Sequence, residues 1–273
     1  MREVDEALAR AYAQKTSADR PAVPPAPHVP PPRNQAPGRG AFASFEPEPV
    51  ALRWPETVLT LEREYGDRFS RMADALLDAR DLHQLKVLLF TSCHRAEGRT
   101  TLLLTLARAL ARKPGRTLLV DADLAGPMLA RSLGLRPDVG LDDVIENGHA
   151  LADALIDAPD DHLTVLPLRA PASDPRGFLG GPAWSCTAAR LRREFDLVLL
   201  DGGPMFAGLG ADVPHRAVDA AVLVHNRTLT GERAILRARE ALEAAGVPLL
   251  GLAETFVAAE GRADRKRRRG GWG

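Results

Sequence analysis

The stretch Val87-Leu-Leu-Phe-Thr-Ser-Cys-His-Arg-Ala-Glu-Gly-Arg-Thr-Thr101 decides how this chain is read. A run of apolar residues ends at Thr91, a polar loop follows, and a Leu-rich segment with helical spacing starts near Arg99. A strand, loop and helix in that order aim the free amides of the helix start at one point, where they can hold an anionic phosphate. The phosphate-loop pattern G-x-x-x-x-G-K-[ST] is met only in part. Gly98 and Thr100 are in place, Cys93 stands at the first glycine, and Arg99 stands at the lysine.

Further along, two more apolar runs end in acidic residues, one at Asp121-Ala-Asp123 and one at Asp201-Gly-Gly-Pro204. Short apolar runs cover Lys86–Thr91, Thr117–Asp121, Leu163–Pro167, Asp196–Asp201, Ala220–His225 and Leu249–Thr255. Amphipathic segments separate them, among them Thr100–Arg112, Cys186–Phe195 and Gly231–Ala245. Continuous apolar strands alternating with helices specify a doubly wound, mostly parallel α/β sheet with helices on both faces. In such a sheet the C-terminal strand ends gather over one crevice. The Thr100 hydroxyl and a carboxylate at Asp121 or Asp201 there make a suitable magnesium environment, because magnesium prefers oxygen ligands and keeps several waters.

The rest of the chain divides by composition. Residues 1–18 read as a short amphipathic helix with Val4, Ala7, Leu8, Ala11 and Tyr12 on one face. Residues 19–50 are a Pro-rich linker whose ten prolines stop both helix and sheet. Residues 51–260 carry the α/β pattern, opening on a helix over Leu59–Leu82 that is expected to bury Leu61, Tyr65, Phe69, Met72 and Leu76. Residues 261–273 form a basic tail, suited to an anionic surface.

Lys and Arg total 36, as do Asp and Glu, so the 273 residues carry no net charge that argues for nucleic acid or membrane as a whole. The apolar runs are far too short to span a bilayer, and the start has no apolar signal core. Cys93 and Cys186 lack metal-ligand spacing. A cytoplasmic protein, brought to the inner membrane only through a partner, is the expectation.

These residues in this order resemble the bacterial tyrosine kinases that control polysaccharide chain length and export. That family belongs to the deviant-Walker P-loop class, with the chromosome-partition and septum-site ATPases. The likeness runs from about Leu59 to Phe256. Its phosphate loop, T-S-x-x-P-G-E-G-K-[ST]-T, is matched at Thr91, Ser92, Glu97, Gly98, Thr100 and Thr101. Its second acidic motif is matched at Asp121, Asp123 and Pro127, followed by Gly140-Leu141. Asp174-Pro175, the strand Phe195–Asp201 and the closing stretches Val218–Val224 and Ala245–Gly251 also follow it.

The resemblance implies ATP and magnesium as ligands. It places Glu97, Gly98, Arg99, Thr100 and Thr101 at the phosphates, and Thr100, Asp121 and Asp201 at the metal. Asp121, Asp123 and Arg99 are implied in catalysis. A membrane-protein adaptor of a polysaccharide export system and self-association are the implied partners. The departures fall in the same places. Arg99 replaces lysine, Arg95-Ala96 replaces Pro-Gly, Ala125 replaces arginine and Gly203 replaces proline. In the family's E-x-x-R-x-x-R helix Arg68 and Arg71 match, but Tyr65 stands at the glutamate, and the tail has no tyrosine. Charge stabilisation dominates phosphoryl transfer, and a lost cation there costs roughly 10³–10⁵ in rate. Three readings follow: an ATP-binding, divergent kinase-like regulator of exopolysaccharide or capsule biosynthesis, a pseudoenzyme scaffold of the same fold, and a partition-type ATPase switch.

Overall fold

The computed structural model describes residues 50–206 and 217–257. The expected N-terminal helix, most of the Pro-rich stretch and the basic tail lie outside them. Seven strands form one sheet: β1 (Val87–Ser92), β2 (Thr117–Ala122), β3 (Ile156–Ala158), β4 (Leu163–Leu166), β5 (Leu197–Pro204), β6 (Ala220–Asn226) and β7 (Leu249–Thr255). Their order is β3-β4-β2-β5-β1-β6-β7, and every pairing is parallel except β3 with β4. The doubly wound α/β expectation is met, and all six strands read from apolar runs are present.

The seventh strand, β3, was not foreseen. Its three residues, Ile-Asp-Ala, are too few and too mixed to show an apolar run, and it forms the antiparallel edge against β4. The helix N-terminal to the sheet, α1 (Glu56–His83), starts one turn earlier than its apolar pattern suggests. Helical geometry is interrupted at Tyr65 (φ −130°, ψ 18°). Phe69 and Leu76 are buried as expected, but Ala73 and Ala79 join them, while Leu61, Tyr65 and Met72 are only half-buried.

β1 is buried along its whole length, between β5 and β6. Such burial on both faces explains why its sequence is continuously apolar instead of alternating. The helix α2 (Arg99–Ala111) leaves the loop after β1 and packs against α1. Glu62 on α1 accepts from Arg108 at 2.8 Å and is also paired with Arg112. Gly202 lets β5 approach β1 closely, since a Cβ there would lie 2.6 Å from Leu89 Cδ1. In the register, Asp121 on β2 sits opposite Asp201 on β5, and Asp201 opposite Phe90 on β1. The two carboxylates therefore stand at one level near the C-terminal ends of β2 and β5, beside β1, which leads into the loop at residues 93–98.

Candidate functional site

Gly98 starts α2 from a left-handed conformation (φ 78°) that glycine adopts without steric cost. It supplies no side-chain cap, so the first amides of α2, on Arg99, Thr100 and Thr101, precede any intrahelical acceptor. Ala96, two residues earlier, is also left-handed (φ 63°), although it has a Cβ. The loop thus keeps a shape that favours glycine while carrying alanine. Ala96→Gly is expected to stabilise the fold by a few tenths to about 1 kcal/mol, the relieved strain being partly offset by the freer unfolded chain. Urea unfolding of the two proteins checks this.

The acidic residues converge under that helix start. Arg99 donates from Nε to Asp201 Oδ1 at 2.7 Å, from Nη2 to Asp123 Oδ2 at 3.1 Å and from Nη1 to Ser92 Oγ at 3.3 Å. Burial alone would depress the guanidinium's pKa, but the charges of Asp201 and Asp123 outweigh it and hold Arg99 above its ordinary range. Thr100 Oγ1 donates to the other oxygen of Asp201 at 2.7 Å. Arg95 also reaches Asp123 Oδ2, at 3.3 Å. A cation from the loop thereby stands near the acidic motif that lacks its arginine at Ala125.

Asp121 is fully buried, and its two oxygens accept three backbone amides, from Asp123 (3.2 Å), Met128 (3.0 Å) and Leu129 (2.8 Å). Burial first, and then the charge of Asp201, push its carboxyl up to about 7. Because the folded value lies above the ordinary 3.8, the folded protein binds the proton more tightly than the unfolded chain. This contribution to stability is complete below about pH 4 and is lost as pH rises towards 7, by at most about 1.4 kcal/mol per pH unit. Unfolding midpoints measured across that window in wild type and Asp121→Asn should show the decline only in the wild type.

Glu97 is 1% exposed, and its carboxylate turns away from the helix start. It accepts from His94 N at 2.7 Å, Asn226 N at 3.2 Å and the Thr230 hydroxyl, while its backbone carbonyl accepts from Thr255 Oγ1 at 2.7 Å. Among the residues expected at the phosphates, it therefore anchors the loop to the ends of β6 and β7. Cys93 is buried, and burial with the Glu97 charge pushes its thiol up to about 11, which disfavours the reactive thiolate. His94 is exposed, its ring tilted against Phe206 at 5.8 Å.

The structure thus brings Gly98, Arg99, Thr100, Asp121, Asp123 and Asp201 together, with Thr101 on the next position of α2. Sequence reasoning missed the supporting residues Arg95, Asn226, Thr230 and Thr255 as parts of the site. Ser92 carried a signal as part of the Thr91-Ser92 match, whereas Asn226, Thr230 and Thr255 lie more than a hundred residues from Glu97 and carried none.

The uncapped amides suit phosphate, and the hydroxyl and carboxylate oxygens suit a hard cation. Most of those oxygens already face N–H or O–H donors. Among the described residues, no cluster of three or more His, Cys, Asp or Glu side chains has the arrangement of a metal site. No helix among them is long and apolar enough to cross a membrane.

No family model matches the chain. The tyrosine-protein kinase CpsD of Streptococcus pneumoniae is 29% identical over 173 residues, which span 62% of this chain and 75% of that one. The kinase domain of VpsO superposes with a TM-score of 0.63 at 24% identity, covering 72% of this chain and 99% of that domain. The septum-site protein MinD of Pyrococcus horikoshii OT3, complexed with Mg-ADP, gives a TM-score of 0.52 at 23% identity, covering 64% and 72%. The chain is thus similar in sequence to bacterial tyrosine-protein kinases and shares the fold of a kinase domain of that kind, with Arg99 standing at the lysine of the phosphate-loop pattern.

Proposed function

We propose that the chain binds ATP with magnesium at the start of α2 and serves as a divergent, tyrosine-kinase-like regulator of exopolysaccharide or capsule biosynthesis or export. The observation that carries this is the uncapped helix start at Gly98–Thr101 standing over carboxylates from two adjacent strands. In this reading the amides of Gly98–Thr101 hold phosphate oxygens, Thr100 and Asp201 lie where a magnesium ion carried in by the nucleotide would stand, and Asp123 faces the transferring end. Asp121, with its oxygens engaged by three amides, shapes the loop at residues 123–129 and stands beside the metal position. Magnesium-bound ATP supplies the phosphoryl group, and Arg99 supplies positive charge where the family has lysine. The kinase relative and the Mg-ADP complex of MinD support this reading. A membrane-protein adaptor would bring the cytoplasmic chain to the inner membrane, with the basic tail on an anionic surface and self-association as further elements of the proposal.

A pseudoenzyme of the same fold is the second reading, favoured by the engagement of Arg99 with Asp123 and Asp201. The purified full chain separates the two. Calorimetry with ATP and magnesium is expected to show binding that Arg99→Ala weakens at least tenfold, in line with the cost of removing a phosphate-facing cation. An isotope-transfer assay then decides turnover. Binding without labelled protein, beside an active kinase control, establishes the scaffold, and absence of binding overturns the nucleotide reading altogether.

A further inference from the structure

Arg99 is held more tightly than a side chain that only reaches for phosphate needs to be. Its guanidinium joins Asp201 and Asp123 across two strands and also donates to Ser92, and its side chain is only 10% exposed. Thr100 takes the second oxygen of Asp201. Both oxygens of that carboxylate therefore face hydrogen-bond donors, as do both oxygens of Asp123: Oδ1 accepts from Gly126 N at 3.1 Å, and Oδ2 is shared by Arg99 and Arg95. The protein has placed its own cation on the oxygens that a divalent ion would use. Guanidinium differs here from ammonium, because its planar fork satisfies two carboxylates at once and is pre-organised to do so. Magnesium, in contrast, demands near-octahedral oxygens about 2.0–2.1 Å away and gives up its own water reluctantly. It gains those oxygens only by displacing the fork.

We infer that Arg99 is a resident countercation that competes with divalent metal for Asp123 and Asp201, and so lowers the metal affinity of this site. Arg99 then sets the form of nucleotide the chain accepts: the triphosphate is held with little dependence on magnesium, where a lysine at this position would leave the carboxylates open to the metal. This consequence rests on the proposed nucleotide site, whereas the competition itself does not.

The experiment uses the full chain without nucleotide and follows manganese alone by electron paramagnetic resonance. Arg99→Ala is expected to bind manganese about tenfold or more tightly than wild type, the scale set by removing one unit charge at contact distance. Arg99→Lys, which keeps the charge but loses the fork, should fall between them and carries the test if the alanine variant does not fold. Equal manganese affinity in wild type and the folded variants overturns the inference. A second arm titrates a fluorescent ATP analogue with magnesium or with chelator. Wild type is expected to bind it within about threefold equally in both, whereas Arg99→Lys should need the metal. Magnesium dependence as steep in wild type as in Arg99→Lys contradicts the inference. If neither protein binds the analogue while their manganese affinities differ, the competition stands and the nucleotide reading falls.

Discussion

Asp201→Ala is expected to lower the free energy of unfolding by roughly 3–5 kcal/mol, as removal of one partner of a buried ion pair does. Asp201 is 1% exposed and receives both the Arg99 guanidinium and the Thr100 hydroxyl at 2.7 Å. Without it, a nearly buried cation keeps only Asp123 as a charged partner and the hydroxyl of Thr100 loses its acceptor. The cost arises mainly from the groups left behind and much less from the net worth of the pair, which desolvation reduces. Asp201→Asn keeps an oxygen for one donor and should lose about half as much. Urea denaturation of the three proteins checks the order, and equal stability of Asp201→Ala and wild type would show that Arg99 finds another partner.

Glu97→Ala has the second largest expected effect, roughly 2–4 kcal/mol, because it strands the buried amide of Asn226 and the hydroxyl of Thr230 as well as the amide of His94. Its consequence for function should exceed its consequence for stability. Glu97 ties the loop to β6, and the loop fixes where the amides of α2 point. Nucleotide affinity measured well below the unfolding temperature should therefore fall at least tenfold in Glu97→Ala. Unchanged affinity would mean that the start of α2 holds its direction unaided.

Much of the fold was legible because a buried parallel strand has nothing to alternate. Val87–Phe90 and Leu197–Leu200 are apolar at every position, and each is followed within its strand by a buried polar or acidic residue, Thr91 and Asp201. The acidic ends at Asp121 and Asp201 could be placed together because doubly wound sheets gather such ends, and their register is level. β3 was invisible, since three residues on an edge carry too little pattern. The break of α1 at Tyr65 was not legible either, because that residue type does not announce one. In the site, Arg99 could be recognised as a substitution at the lysine, but not its engagement. Which carboxylates receive a guanidinium depends on the distance between β2 and β5, and sequence spacing does not contain that distance. Glu97 looked like a phosphate-loop residue for the same reason. Its true neighbours, Asn226, Thr230 and Thr255, come from the far end of the chain and meet it only once β6 and β7 are paired.

Amide chemical shifts of the isotopically labelled full chain, followed while ATP and magnesium are added, show whether the start of α2 is the nucleotide site. Saturable shifts concentrated at Gly98, Arg99, Thr100 and Thr101, and weakened in Arg99→Ala, are predicted. Shifts spread elsewhere on the chain, or none at those four amides at millimolar ATP, would mean that nucleotide does not bind at the start of α2.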